Sequence, residues 1–189
     1  EGMFQDASAF NQPLEKWASD VSNVTTMKNM FKGALTFNQP LNDWSVNSVT
    51  TMEGMFQDAS AFDQPLYKWD VSSTLQDASG MFYGASSFNQ DISGWFPRGS
   101  NTITDMTNMF REATSFNEIV YTWDVSNVKK MDNMFYDASS FNQDLSDWCV
   151  TGFEQSPIDF DTNAMSWTES RPIWGTCLAS TDTDDDNDG

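Results

Sequence analysis

Six copies of one apolar pattern run through the chain in phase, and their spacing narrows the possible folds before any single residue is weighed. Met-Phe stands at Met3-Phe4, Met30-Phe31, Met55-Phe56, Met81-Phe82, Met109-Phe110 and Met134-Phe135. A Phe-Asn-Gln-like triplet begins at Phe10, Phe37, Phe62, Phe88, Phe116 and Phe141, and a Trp closes each block at Trp17, Trp44, Trp69, Trp95, Trp123 and Trp148. All three series advance by 27, 25, 26, 28 and 25 residues. A unit of this size cannot bury its apolar face alone and must stack on its neighbours, so the pattern predicts a solenoid over residues 1–150. Such folds mostly present surface, and binding is expected before catalysis.

Composition narrows the partners. Against 9 basic residues stand 28 acidic ones, for a net charge of −19. That surface repels phosphate backbones and anionic lipids, so neither nucleic acid nor membrane insertion is expected. Histidine is absent, which removes the commonest general base and metal ligand. No apolar run approaches the ~20 residues of a membrane span. Glu1-Gly2-Met3-Phe4 matches Glu53-Gly54-Met55-Phe56 in mid-repeat. The chain is therefore expected to be a piece of a longer protein, and the lack of a leader says nothing about export.

Within the second unit, Met27, Met30, Phe31 and Ala34 have the i, i+3, i+4, i+7 spacing of one helical face, and Thr25 or Thr26 is placed to cap it. Leu41, Trp44, Val46 and Val49 alternate as a very short strand would. Each coil thus reads as a short strand, a turn, a short helix and a return loop, an α/β solenoid with parallel strands. Insertions fall where coils tolerate them, at Ala18-Ser19 and at Phe96-Pro97-Arg98-Gly99-Ser100, the latter a candidate contact loop.

The motif Asp-Val-Ser-Asn-Val-x-x-Met-x-x-Met-Phe-x-x-Ala-x-x-Phe-Asn-Gln-x-Leu-x-x-Trp, at Asp124–Trp148 and with little change at Asp20–Trp44, resembles the BspA-like leucine-rich-repeat family of bacterial surface proteins. The resemblance covers roughly residues 1–150. It implies a leucine-rich-repeat-like right-handed coil stack, a secreted or cell-surface location and a role in adhesion or protein contact, with no catalytic residues to carry over. Leu75, Ala78 and Glu118-Ile119 depart from the pattern in single coils.

Residues 151–179 keep apolar anchors (Phe153, Ile158, Phe160, Trp167, Ile173, Trp174) without the period and are expected to form the C-terminal cap that a solenoid needs. Cys149 and Cys177 flank this cap. One disulfide tying the cap to the last coil is expected, with two buried free thiols as the alternative. The Trp-Cys and Trp-Gly-Thr-Cys ends support the pairing by resemblance, and a disulfide implies an extracellular setting. Residues 180–189 form an acidic linker. There Asp184, Asp186 and Asp188, followed by Gly189, have the spacing of the first half of a calcium loop, and Asp182 is counted with them as a metal-ligand candidate. They also resemble the Asp-rich calcium motifs of thrombospondin type 3. Calcium is the one cofactor expected; a solvated linker without an ion is the alternative.

The recurrent Trp and Phe fall in phase with Met, Leu and Val, so they are expected in the core rather than on a sugar-stacking platform. The recurrent Asn11, Asn38, Asn89, Asn117 and Asn142, with Asp63 in the third coil, are expected to form an internal ladder between coils. Asp20, Asp70 and Asp124 recur at one position, as solvated or turn-capping residues do, and no nucleophile–base set, phosphate loop or zinc spacing is present. Enzymatic activity is not expected. Three readings of function follow: an adhesion or interaction module for a protein or surface glycan, a rigid spacer, or a carbohydrate-binding module of an extracellular enzyme. The last would use an exposed aromatic such as Tyr67, Tyr83, Phe96 or Tyr121. The residues before each Trp (Lys16, Asn42-Asp43, Tyr67-Lys68, Ser93-Gly94, Tyr121-Thr122, Ser146-Asp147) vary between coils, as recognition positions or unconstrained surface would.

Overall fold

The repeats lie on one another in register in the computed structural model, which describes residues 1–99 and 102–177. Three columns of aromatic side chains form the centre. Phe4, Phe31, Phe56, Phe82, Phe110 and Phe135 follow one another with ring centroids 5.4, 5.6, 5.6, 5.7 and 5.6 Å apart. The column from Phe10 to Phe141 runs beside it, and within a repeat the two rings meet at about the same distance each time, 4.0 Å for Phe56 and Phe62. Near-parallel offset rings at these separations gain packing beyond the area they bury. The tryptophans form the third column and are buried from Trp44 to Trp148. Each Nε1 donates to a backbone carbonyl of the preceding repeat: Trp69 to Leu41 (2.9 Å), Trp123 to Ile92 (3.1 Å) and Trp148 to Val120 (3.0 Å). The recurrent rings are thus core, as their phase predicts.

The backbone around Met-Phe departs from the expected helix. Alternate N–H groups go to different places. Asn29, Phe31 and Gly33 donate to the carbonyls of Glu53, Met55 and Gln57 in the next repeat (2.8, 2.8 and 2.7 Å), while Met30, Lys32 and Ala34 donate three residues back. Positive φ at Asn29 (54°) and Gly33 (69°) turns every second peptide along the stack axis. An α-helix would keep all these bonds within the segment. The same pattern links Gly54, Phe56 and Asp58 to Ser79, Met81 and Tyr83, and recurs up the stack. Every inter-repeat N–H of this kind points toward the later repeat, so half of these peptide dipoles align. Thr26 Oγ1 accepts from the Lys28 N–H (3.4 Å) and so caps the turn, with Asp77 and Asp105 in the same role further on. Among the described residues parallel pairing is limited to single residues, Thr26 with Thr51, Thr51 with Asp77, Asp77 with Asp105 and Asp105 with Lys130. It lies just beyond the Leu41–Val49 segment expected as a strand, because the i to i−3 turns at Trp44 and Val49 break extension there.

The positive-φ positions also pack against each other between repeats. Asp6, Gly33, Asp58 and Gly84 occupy one column, alternating carboxylate and glycine. A Cβ on Gly84 would collide with Asp58 Oδ1 and lie 3.5 Å from Asp58 Cα. Gly84→Ala is expected to cost about 1–2 kcal/mol from its φ of 68° alone, plus the collision. Adding Asp58→Gly should recover the collision part and leave the backbone part. Urea unfolding of the three variants checks this; a Gly84→Ala chain as stable as the parent would refute it.

The period that stops in the sequence at Val150 continues in the structure. Asn133, Phe135 and Asp137 donate to Ile158, Phe160 and Thr162, and Asp159 and Asn163 take the positive φ of their counterparts. Trp167 then stands where the other repeats place a phenylalanine, and it turns edge-on to Phe141 (83°) and Phe135 (76°). Phe160 also meets Phe135 edge-on. These perpendicular rings end the parallel ladder, and Trp174 packs edge-on over Phe160. The Cys149–Cys177 disulfide is formed, with Val150 N–H bonded to the Thr176 carbonyl (2.8 Å) beside it.

Candidate functional site

The exposed positions of a stacked repeat fall in columns, and the columns differ in how much of their polar chemistry the fold already uses. In the asparagine column the fold uses the side-chain oxygens. Asn11 Oδ1 accepts from the Asn38 N–H (2.9 Å) and Gln39 Nε2 (2.9 Å). Asn38 does the same for Asp63 and Gln64, and Asp63 for Asn89 and Gln90. Asn142 closes the row by accepting from Thr168 and Glu169 N–H. The ladder between repeats is as expected, but it lies at the surface, exposed or half-buried. Asp70 and Asp124 accept from Ser72 and Ser126 and hold turns, the turn-capping one of the two expected roles, whereas Asp20 accepts from the adjacent Ser19 hydroxyl instead (3.3 Å).

Of the four aromatic residues named as exposed candidates, Phe96 is not exposed. Its ring is 0% accessible and sits edge-on between Trp95 and Trp123 (centroids 6.3 and 5.0 Å). The insertion turns inward because it supplies one more apolar group to the core, and Gly99 N–H is tied to Asp124 Oδ2 (2.8 Å). Tyr67 and Tyr121 do project, 63% and 42% exposed. Next to Tyr67, Lys68 pairs with Asp43 (2.8 Å), which raises the lysine pKa through that hydrogen bond.

Tyr83 belongs to a different face. Its ring, the Arg111 guanidinium and the Tyr136 ring follow each other along the stack, with the guanidinium carbon 5.3 Å from one centroid and 4.4 Å from the other. Burial opposes the charge on Arg111, and the bond to Glu112 (3.2 Å) together with both tyrosines holds it protonated. Beside Tyr83 the surface is hollowed over Gly54 and Gly80, to a volume of about 270 Å³. Asn29 and Asn108 bound the hollow along the stack; Lys32 and Gln57 flank it on one side, Glu53 and Ser79 on the other. Glu53 is paired with Lys28 (2.6 Å), and that hydrogen bond raises the lysine pKa. Asn108 Oδ1 has no hydrogen-bond partner among the described residues. This hollow was not picked out from the sequence, although the repeat alignment shows its cause, two successive glycines in the column before Met-Phe.

The alternating aspartates Asp182, Asp184, Asp186 and Asp188 lie outside the described residues. Among the described residues no group of three or more acidic, Cys or His side chains is placed to hold a metal ion.

The repeat unit seen in these columns is also what a family model recognises, over residues 1–95 and 98–171. The chain belongs to the DUF285 family. This family is described as a Mycoplasma protein of unknown function. Between its two segments the DUF285 match skips residues 96 and 97, within the insertion that buries Phe96, and it runs past Val150 to residue 171, through the added repeat level that includes Trp167. No curated protein and no solved structure matches the chain.

Proposed function

We propose that the chain is a non-enzymatic adhesion or interaction module of a larger secreted bacterial protein, a leucine-rich-repeat-like solenoid of the BspA-like kind that binds another protein or a surface glycan. The observation that supports this reading is the division within each repeat. The recurrent rings pack in or against the core, where variation is confined to apolar exchanges such as Leu75 and Ala78, while the polar positions that vary between repeats stand mostly at the surface, in columns that bring unlike side chains side by side. A variable surface on a rigid constant frame suits recognition. The disulfide supports an extracellular location at the bacterial cell surface. Calcium binding by Asp182, Asp184, Asp186 and Asp188, as in thrombospondin type 3 motifs, belongs to the same reading and rests on their spacing alone.

The test is binding of the purified chain to arrays of glycans and extracellular proteins, with calcium and again with chelator. Saturable binding to a selected few is the expected result, and its loss in chelator would bring the acidic tail into the mechanism. A blank array in both conditions would overturn the reading in favour of a rigid spacer.

A further inference from the structure

We propose that the hollow over Gly54 and Gly80 is a saccharide subsite that takes a single pyranose ring. The inference rests on the recognition reading above and gives it a place and a ligand class. The hollow exists because of one local departure. In successive levels the column before Met-Phe holds Gly2, Asn29, Gly54, Gly80, Asn108, Asn133 and Asp159, all at positive φ, and only at 54 and 80 do two glycines adjoin. Asn29 leans its amide oxygen over Gly54, whereas a Cβ on Gly80 would meet nothing nearer than Tyr83 Cβ at 3.9 Å. Two absent side chains leave about 270 Å³. That is just under the range of pockets for drug-sized ligands and suits one sugar ring rather than an extended chain.

The lining selects among ligands of that size. Lys32 disfavours a cation, and Glu53 is already neutralised by Lys28. The charge of −19 on the whole chain disfavours a free anion. What remains is a neutral ligand rich in hydroxyls. The amides of Asn29, Gln57 and Asn108 each both donate and accept, as a rim of hydroxyls requires. Asn108 Oδ1 has no bond to break in order to turn toward such a hydroxyl. Tyr83 completes the match. Arg111 covers its ring on the side of the fifth repeat, and the tyrosine borders the hollow beside Gly80. A pyranose presents one face of C–H groups, which an aromatic face accepts, and polar groups around its edge.

Saturation-transfer NMR of the purified chain with methyl glucopyranoside, galactopyranoside, mannopyranoside and N-acetylglucosamine tests the site. A saturable signal from a subset of these is expected. Gly80→Asn fills the hollow with the residue the fold already carries at positive φ at 29, 108 and 133, and it should abolish the signal. Tyr83→Ala should weaken binding about tenfold, while Tyr67→Ala, on another column, should leave it unchanged. Thermal melts confirm that each variant is folded; if Gly80→Asn is not, Tyr83→Ala decides. No saturable signal from the parent chain, or binding that survives the folded variants, overturns the subsite. Selective protein binding on the arrays with no pyranoside signal would remove this site and leave the recognition module standing.

Discussion

Phe82→Ala should destabilise the chain by about 3–5 kcal/mol, lowering its melting midpoint by roughly 10 °C or more. Phe82 is fully buried at mid-stack. It lies 3.9 Å from Phe88 within its repeat, 5.6 Å from Phe56 below and 5.7 Å from Phe110 above, with Trp95 at 6.1 Å. Its loss leaves a cavity whose walls are rings held by their own neighbours, so collapse is limited. In a stack where each level touches only the next, the damage falls on one intra-repeat contact and two interfaces. Phe4 holds the same position in the first repeat, is only half-buried in this chain and stacks on Phe31 at 5.4 Å. Phe4→Ala should cost about 1–2 kcal/mol. Denaturant midpoints measure both. Equal losses would mean that stability does not build up level by level, and the account of the stack would fall.

Replacing both cysteines, Cys149→Ser with Cys177→Ser, should cost about 3.5 kcal/mol, the chain-entropy value for a loop of this length. The sulfurs join residues separated by 28 positions. The loop they close carries the edge-on rings of Phe160, Trp167 and Trp174 that terminate the aromatic ladder. The loss should begin at that end, so tryptophan fluorescence of the variant should shift to longer wavelength in less denaturant than the parent needs. The parent should yield no free thiol to a thiol-reactive dye before reduction. Two reactive thiols in the parent, or a variant that unfolds with it, would refute the role assigned to the bond.

Much of this was legible because burial follows recurrence. Residues that return in phase six times must meet their own copies, so the Phe and Trp columns and the asparagine row could be read from spacing alone. Cys149 and Cys177 were legible for a related reason: they flank the one stretch where the period fails. The backbone was less legible. Met27, Met30, Phe31 and Ala34 have helical spacing, yet Asn29 and Gly33 at positive φ turn the chain instead. The same side-chain period fits both paths, and the choice depends on where the N–H groups bond. Here the next repeat accepts half of them, a partner that no single repeat contains.

Phe96 and Trp167 show the same division. An aromatic in a Pro/Gly-containing insertion looks exposed until the space beside Trp123 is known, and a lone Trp beyond the last repeat does not look like the counterpart of Phe141. The hollow beside Tyr83 needs both levels. Gly54 and Gly80 are adjacent only after the repeats are aligned, and only the stacked backbone brings Asn29, Gln57 and Asn108 around the same empty space. Recurrence of side chains determined which residues are buried and that repeats must stack. Hydrogen bonding between repeats decided the path of the backbone, and with it which polar groups were left facing outward.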